Sequence, residues 1–297
     1  ATGDTASAYA TFSQIAQASP NSALAHYRLA TVYMAKRDWR SASNAFAKSI
    51  ELKPDFLDAR SGLVSAYLEN NEIAKAAASA RSIREKYPKV PIGYIREGDV
   101  LMQQKKTADA LEKYRQAFAV APNGRTLSKI VQARIVSGAG DLAVTELRQW
   151  LDVHPDDMTN RMLLAGIYLN MKQFRLAADQ YERIQKSAPN QIRVLNNLAW
   201  SYSELGDPRA LEYAERANRL EPDNLYIMDT LGWLRVKRGK LSQALPLLEK
   251  AVKQVPDAPE FRYHLAVALE KSGEKWRAKR ELELALASGK PFPQAED

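Results

Sequence analysis

Residues 23–56, ALAHYRLATVYMAKRDWRSASNAFAKSIELKPDF, decide the fold when set against the next stretch, residues 57–90, LDARSGLVSAYLENNEIAKAAASARSIREKYPKV. Count Ala23 and Leu57 each as position 1. Leu29 and Leu63 then share position 7, Ala30 and Val64 position 8, and Tyr33 and Tyr67 position 11. Ala42 and Ala76 share position 20, Phe46 and Ala80 position 24, and Pro54 and Pro88 position 32. Within each stretch the apolar residues recur at about 3.6 residues, the period of a helix with one buried face. Small residues at 8 and 20 let two helices come close, and larger ones at 7, 11 and 24 fill the space beside them. Near position 15 the pattern breaks, at Asn71 in the second stretch, which predicts a turn between antiparallel helices.

The prolines carry this cadence along the chain. They fall at 20, 54, 88, 122, 155, 189, 222 and 256, always 33 or 34 residues apart, and all but Pro88 are followed by Asn or Asp. Proline cannot continue a helix interior, and an Asx after it is expected to cap the next helix. Eight units follow: 23–56, 57–90, 91–123, 124–157, 158–191, 192–224, 225–258 and 259–292. Residues 158–191 repeat the pattern with Leu164, Ala165, Tyr168, Ala177 and Tyr181, and residues 225–258 with Leu231, Gly232, Ala244 and Leu248, Arg235 replacing the tyrosine. Further turns are predicted at Lys105, Gly138, Gly206, Gly239 and Gly273. The unit 192–224 is one residue short between Asp207 and Ala210, and 91–123 is short at its exit.

Residues 1–22 fit half a unit. Ala8, Phe12 and Ile15 match positions 20, 24 and 27, and Gly3-Asp4 matches the mid-unit turn, which predicts a second helix without its first. A spacing this strict predicts an all-α stack, one elongated domain over 1–297 with a tail at 293–297, rather than a globular bundle. Solenoids usually end in polar caps, so the chain reads as a piece of a longer array, and its first helix is expected to offer an apolar face to a second molecule.

Composition limits the chemistry. The chain has 297 residues, 45% of them hydrophobic, enough to build a core and to argue against disorder. It has no cysteine, which excludes disulfides, thiol catalysis and cysteine-ligated zinc. No apolar run is long enough to span a membrane, and Ala1 to Tyr9 lack the features of a signal peptide. The net charge is +8, but acids are interspersed with bases throughout, which describes solvated helix faces better than a nucleic-acid surface.

These residues resemble the tetratricopeptide repeat, whose pattern asks for bulky residues at 4, 7, 11 and 24, small ones at 8, 20 and 27, and proline at 32. The resemblance covers nearly the whole chain. It implies a right-handed α-solenoid, with the first helix of each unit lining a concave groove and the second outside. Residues 93–122, 196–224 and 229–293 are more narrowly similar to the repeat lipoproteins encoded beside bacterial exosortase (PEP-CTERM sorting) and exopolysaccharide genes. That likeness implies a periplasmic scaffold tethered to the membrane, with a cytoplasmic location as the alternative. A lipoprotein needs a lipidated cysteine, and none is present in this sequence.

The residues offer little for catalysis. His26, His154 and His264 lie in distant units without the i, i+3 or i, i+4 spacing of a helical metal site, so they are read as surface or groove-lining residues. There is no phosphate-binding glycine motif, and Gly138-Ala139-Gly140-Asp141 falls where a turn is expected. No enzyme activity, metal or cofactor is predicted. The resemblance places positions 2, 5, 6, 9, 12 and 13 on the groove. In the last three units these include Asn196, Asn197 and Trp200, then Tyr226, Asp229 and Trp233, then Tyr263 and His264. Aromatic faces beside amides can bind an extended peptide, or a sugar ring by stacking; the competing reading packs both tryptophans between neighbouring helices. Upstream the same positions hold Arg28, Arg96, Asp99, Arg125, Lys129 and Gln132, a basic stripe for a carboxylate or else a charge-balanced wall. The Lys-Asn-Asn-Lys-Arg arrangement of chaperone-tail clamps is missing. The expected function is a non-catalytic protein-interaction scaffold in exopolysaccharide export or exosortase-linked sorting. The alternatives are a glycan-binding module and the targeting arm of an enzyme.

Overall fold

The computed structural model describes residues 2–290, with side chains from residue 7 onward. Among the described residues there are seventeen α-helices and no strand. They fall into two compact units, Ala1–Val153 and His154–Asp297.

The first unit opens with α1 (Thr2–Ala18). Four helix pairs follow: α2 (Ala23–Ala35) with α3 (Trp39–Leu52), α4 (Leu57–Glu69) with α5 (Ile73–Lys86), α6 (Ile92–Gln103) with α7 (Thr107–Val120), and α8 (Gly124–Val136) with α9 (Gly140–Val153). The second unit has four more: α10 (Met158–Asn170) with α11 (Phe174–Ser187), α12 (Ile192–Glu204) with α13 (Arg209–Leu220), α14 (Leu225–Lys237) with α15 (Leu241–Gln254), and α16 (Pro259–Lys271) with α17 (Lys275–Ala287). Within each unit every helix packs on the next in sequence. First helices of successive pairs also touch, α2 on α4 and α4 on α6 in one unit, α12 on α14 and α14 on α16 in the other.

The core is correspondingly local. One cluster joins Ala30, Ala42 and Phe46 to Ala59 and Ala66 of the following helix, and another joins Val64, Ala76, Ala80 and Ile83 to Val100. Position 20 is alanine in all eight pairs, and Ala42, Ala76, Ala110, Ala143, Ala177 and Ala244 are completely buried. Positions 8 and 24 trade volume across the helix pair. A Cβ on Gly98 would sit 2.4 Å from the Tyr114 ring, and one on Gly232 would sit 2.7 Å from Leu248. A glycine at position 8 therefore makes room for the bulky residue at 24.

The turn inside each pair is the same eight times. Position 15 has positive φ at Arg37, Asn71, Lys105, Gly138, Lys172, Gly206, Gly239 and Gly273. The N–H of position 16 then reaches the carbonyl of position 11, as from Asp38 to Tyr33 (3.0 Å) and from Gln173 to Tyr168 (2.8 Å). Position 15 bonds to position 12, as from Arg37 to Met34 (3.1 Å), which completes a Schellman cap. Glycine and asparagine announce five of these turns in the sequence, whereas Arg37, Lys105 and Lys172 are neither. Since left-handed backbone strains a side chain, Lys172→Gly is expected to stabilise the protein by about 0.5–1 kcal/mol, read by denaturant melts.

Two expectations about ends are corrected. The Asx after each ruler proline caps the next helix only at Asn123, which accepts from the Thr126 N–H at 2.9 Å. Elsewhere Pro-Asx occupies the middle of a four-residue turn, closed by bonds such as Phe56 N–H to Lys53 (3.1 Å) and Asp157 N–H to His154 (3.1 Å). The capping residue comes one place later, at Ser22, Asp157 and Asn224. Asn123 caps directly because its unit lacks the extra turn residue. Gly3-Asp4 is not a turn but lies within α1.

One device went unseen in the sequence. Position 4 carries a side chain that donates back to the carbonyl of the ruler proline: Arg60 to Pro54 (2.7 Å), Arg161 to Pro155 (2.6 Å) and Arg262 to Pro256 (2.7 Å). His26 Nε2 lies 2.9 Å from the carbonyl of Pro20 in the same way. The proline's carbonyl, left without a helical partner, is thereby satisfied. No helix is long and apolar enough to cross a membrane among the described residues.

Candidate functional site

In the first unit, α4, α6 and α8 place their polar positions on one face and line an open cleft of about 430 Å³. Asp99 organises it. Its carboxylate accepts from the Tyr114 hydroxyl, from Lys129 Nζ and from Arg96 Nη1, each at 2.9 Å. Arg96 Nε also donates to Ser61 Oγ at 2.8 Å, and Gln103 donates to the Leu68 carbonyl at 3.1 Å. Burial and the adjacent Asp99 charge push the Tyr114 phenol up, so the hydroxyl stays a donor. The stripe expected to be basic is therefore balanced at its centre: Arg96 and Lys129 share one carboxylate. Arg125 is exposed and lies outside this network.

Both Ser61–Arg96 and Leu68–Gln103 span 35 residues. A residue at one position meets the next position of the following unit, because neighbouring first helices are offset by one residue. The same offset builds the second unit's cluster, where Asp229 and His264 are again 35 apart. His264 Nδ1 lies 2.9 Å from each Asp229 oxygen, with His264 fully buried and Asp229 5% exposed. Trp233 stacks on the His264 ring at 4.4 Å and 18°, and Tyr263 and Trp200 flank it at 6.0 and 6.4 Å. His264 Nε2 is buried without a partner. His264 is thus no surface or groove-lining histidine. Position 6 of the last pair points at position 5 of the pair before it.

The neighbours divide between packing and exposure. Asn197 donates to the Tyr181 hydroxyl at 2.8 Å, while the buried Oδ1 of Asn196 has no partner. Burial pushes the Tyr181 phenol up to about 12. Tyr226 is 70% exposed, its ring edge-on to Phe261 at 5.6 Å. One face of Trp233 is covered by the imidazole, and Lys237 Nζ stands 5.5 Å from its ring. A sugar-stacking pair of open tryptophan faces is not what this arrangement presents. Tyr226 is the exposed aromatic of the cluster, while Trp200, Trp233 and Tyr263 are half-buried.

Glu260, one helical turn before His264, was not foreseen, since position 2 carries no apolar signal. Its carboxyl is pushed up, chiefly by burial and further by Asp229, against the opposing pull of His264. A carboxyl raised in the folded state favours folding when protonated and opposes it once ionised. Glu260→Gln is therefore expected to melt higher than the parent at pH 7. The gain should shrink as the pH falls and vanish below the ordinary carboxyl value of 4.5, which paired melts across pH would show.

The geometry can now be set beside known proteins. Tetratricopeptide-repeat family models match residues 27–91 and residues 235–296. TPR repeat-containing protein PA4667 of Pseudomonas aeruginosa is 24% identical over 173 residues, 55% of this chain and 28% of the relative. Hsp70-Hsp90 organizing protein 3 of Arabidopsis thaliana is 22% identical, over 76% of this chain and 41% of its own length. Cellulose synthase operon protein C of Pseudomonas fluorescens is 26% identical, over 79% and 20%. The chain thus spans less than half the length of each of these relatives. Among solved structures, the Cut9 and Hcn1 hetero-tetramer of APC/C superposes with a TM-score of 0.62 at 14% identity, covering 94% of this chain and 55% of that one. Matched repeats at both ends, eight identical turns and the all-helical superposition converge: the chain carries tetratricopeptide repeats and has the tetratricopeptide-repeat α-solenoid fold.

Proposed function

We propose that this chain is a non-catalytic scaffold that holds an extended segment of a protein partner against the faces formed by its first helices. The observation that carries the reading is the cleft of α4, α6 and α8, where Asp99 pre-orders Arg96, Lys129 and Tyr114 around about 430 Å³ of open space. Side chains held in place before binding lose little entropy on binding, and amides such as Gln103 and Gln132 can pair with a peptide backbone. Repeats of this kind bind protein or peptide partners. A relative named for organising two chaperones supports a protein partner, although the clamp residues for chaperone tails are missing here. A relative named for a cellulose synthase operon supports a place in exopolysaccharide export, and with it a periplasmic setting.

Selection of displayed random peptides on the immobilised chain tests this. Peptides recovered should bind the parent and lose about tenfold in affinity to Lys129→Glu, which reverses a charge lining the cleft. No peptide enriched, together with oligosaccharides that shift tryptophan emission, would favour the glycan-binding alternative instead.

A further inference from the structure

Helix α6 is lined on both faces, and the face turned away from Arg96 and Asp99 carries a second cleft. It measures about 470 Å³ and is walled by α5, α6, the turn after α6 and the middle of α7. Residues 77, 81 and 84 of α5 and residues 97, 100 and 101 of α6, continued by its C-cap Gln104, follow helical spacing, so each helix gives one continuous face. Four cations line it, Arg81, Arg84, Lys106 and Lys113, against one acid, Glu97. That is a local excess of three positive charges in a chain whose net charge is +8.

The cations do two different jobs. Glu97 fixes Arg84 (Nε to Oε1, 2.8 Å) and Lys113 (Nζ to Oε2, 3.1 Å), so it neutralises one charge while setting the positions of two. Arg81 and Lys106 are exposed and belong to no ion pair among the described residues. The floor between them is apolar, made by Ala77, Val100 and Leu101. No aromatic side chain lines the cleft, so nothing there would stack a nucleobase.

We infer that this cleft binds an acidic peptide segment carrying an aliphatic or aromatic anchor residue. The anchor fills the apolar floor, and flanking carboxylates meet Arg81 and Lys106 at the rim. Simple anions need only charge, and nucleic acid needs a longer cationic track with stacking partners. A cavity of this size with an apolar floor asks for both charge and an apolar side chain.

The probe is a fluorescein-labelled dodecapeptide of alternating Asp and Glu with a central Leu-Phe pair, followed by anisotropy on the full chain at low salt. Saturable binding is expected, weakened about tenfold by Arg81→Gln with Lys106→Gln and about fivefold when Leu-Phe becomes Ser-Ser. Both substituted residues are exposed, so the thermal melt should not move. Lys129→Gln, on the other face of α6, should change this binding less than about twofold, which separates the inference from the peptide cleft proposed above. An unchanged affinity in the double variant, equal binding of the Ser-Ser peptide, or equal displacement by an oligothymidylate of the same length would overturn it, as would the absence of saturable binding.

Discussion

Gly93→Ala is expected to destabilise the protein by about 2–3 kcal/mol, a fall in Tm of roughly 5–10 °C. The added Cβ would sit 2.6 Å from both the Arg84 Cα and its backbone nitrogen, and 2.9 Å from the Arg84 Cβ. Those are main-chain atoms of α5 and cannot swing aside as the end of a side chain could. Helix α6 would have to move off α5, disturbing the contacts of Ile83 and Val100 in the shared core. Gly166→Ala supplies the contrast. Gly166 lies inside α10 with nothing within 4 Å of the Cβ site, so the same chemical change should stabilise by about 0.5–1 kcal/mol through helix propensity alone. Opposite signs from one substitution type would locate the effect in packing rather than in glycine chemistry.

The second large effect is expected at the buried pair. Asp229→Ala leaves the His264 Nδ1 without its acceptor in a site that water does not reach, and a loss of about 2–4 kcal/mol follows. Asp229→Asn keeps an acceptor oxygen and should lose less. Because the cost is that of an orphaned polar group, replacing both residues together, Asp229→Leu with His264→Leu, should recover much of the loss. Tryptophan emission gives a second readout, since Trp233 stacks on the imidazole that the substitution loosens. Equal losses in the single and double variants would mean that the pair is not coupled as the geometry requires.

Much of this architecture is legible in the sequence because it depends on steric residues at fixed spacing. The ruler prolines, the alanines at position 20 and the glycines at position 15 are chosen for size or backbone freedom, so their identity betrays their place. Arg37, Lys105 and Lys172 adopt the same left-handed turn without being built for it, because the surrounding Schellman bonds impose it. The capping residues were misplaced by one position because proline and Asx fill the turn itself. The candidate site was harder. Pattern reading assigned positions 5 and 6 to an open face, which holds for Asn196 only in part and fails for Asp229 and His264. The one-residue offset between successive first helices carries position 6 onto position 5 of the pair before it. No property of either residue alone announces that offset. Ser61 with Arg96 shows it is general enough to be sought in advance.

The central claim is that each helix pair is held by its immediate neighbours. Amide hydrogen exchange followed by mass spectrometry on Gly93→Ala tests it within the first unit. Exchange should accelerate in α5 and α6, less in α4 and α7, and stay at parental rates in α2 and α3. Acceleration of α2 and α3 equal to that of α5 and α6 would show a single interlocked core and contradict the account.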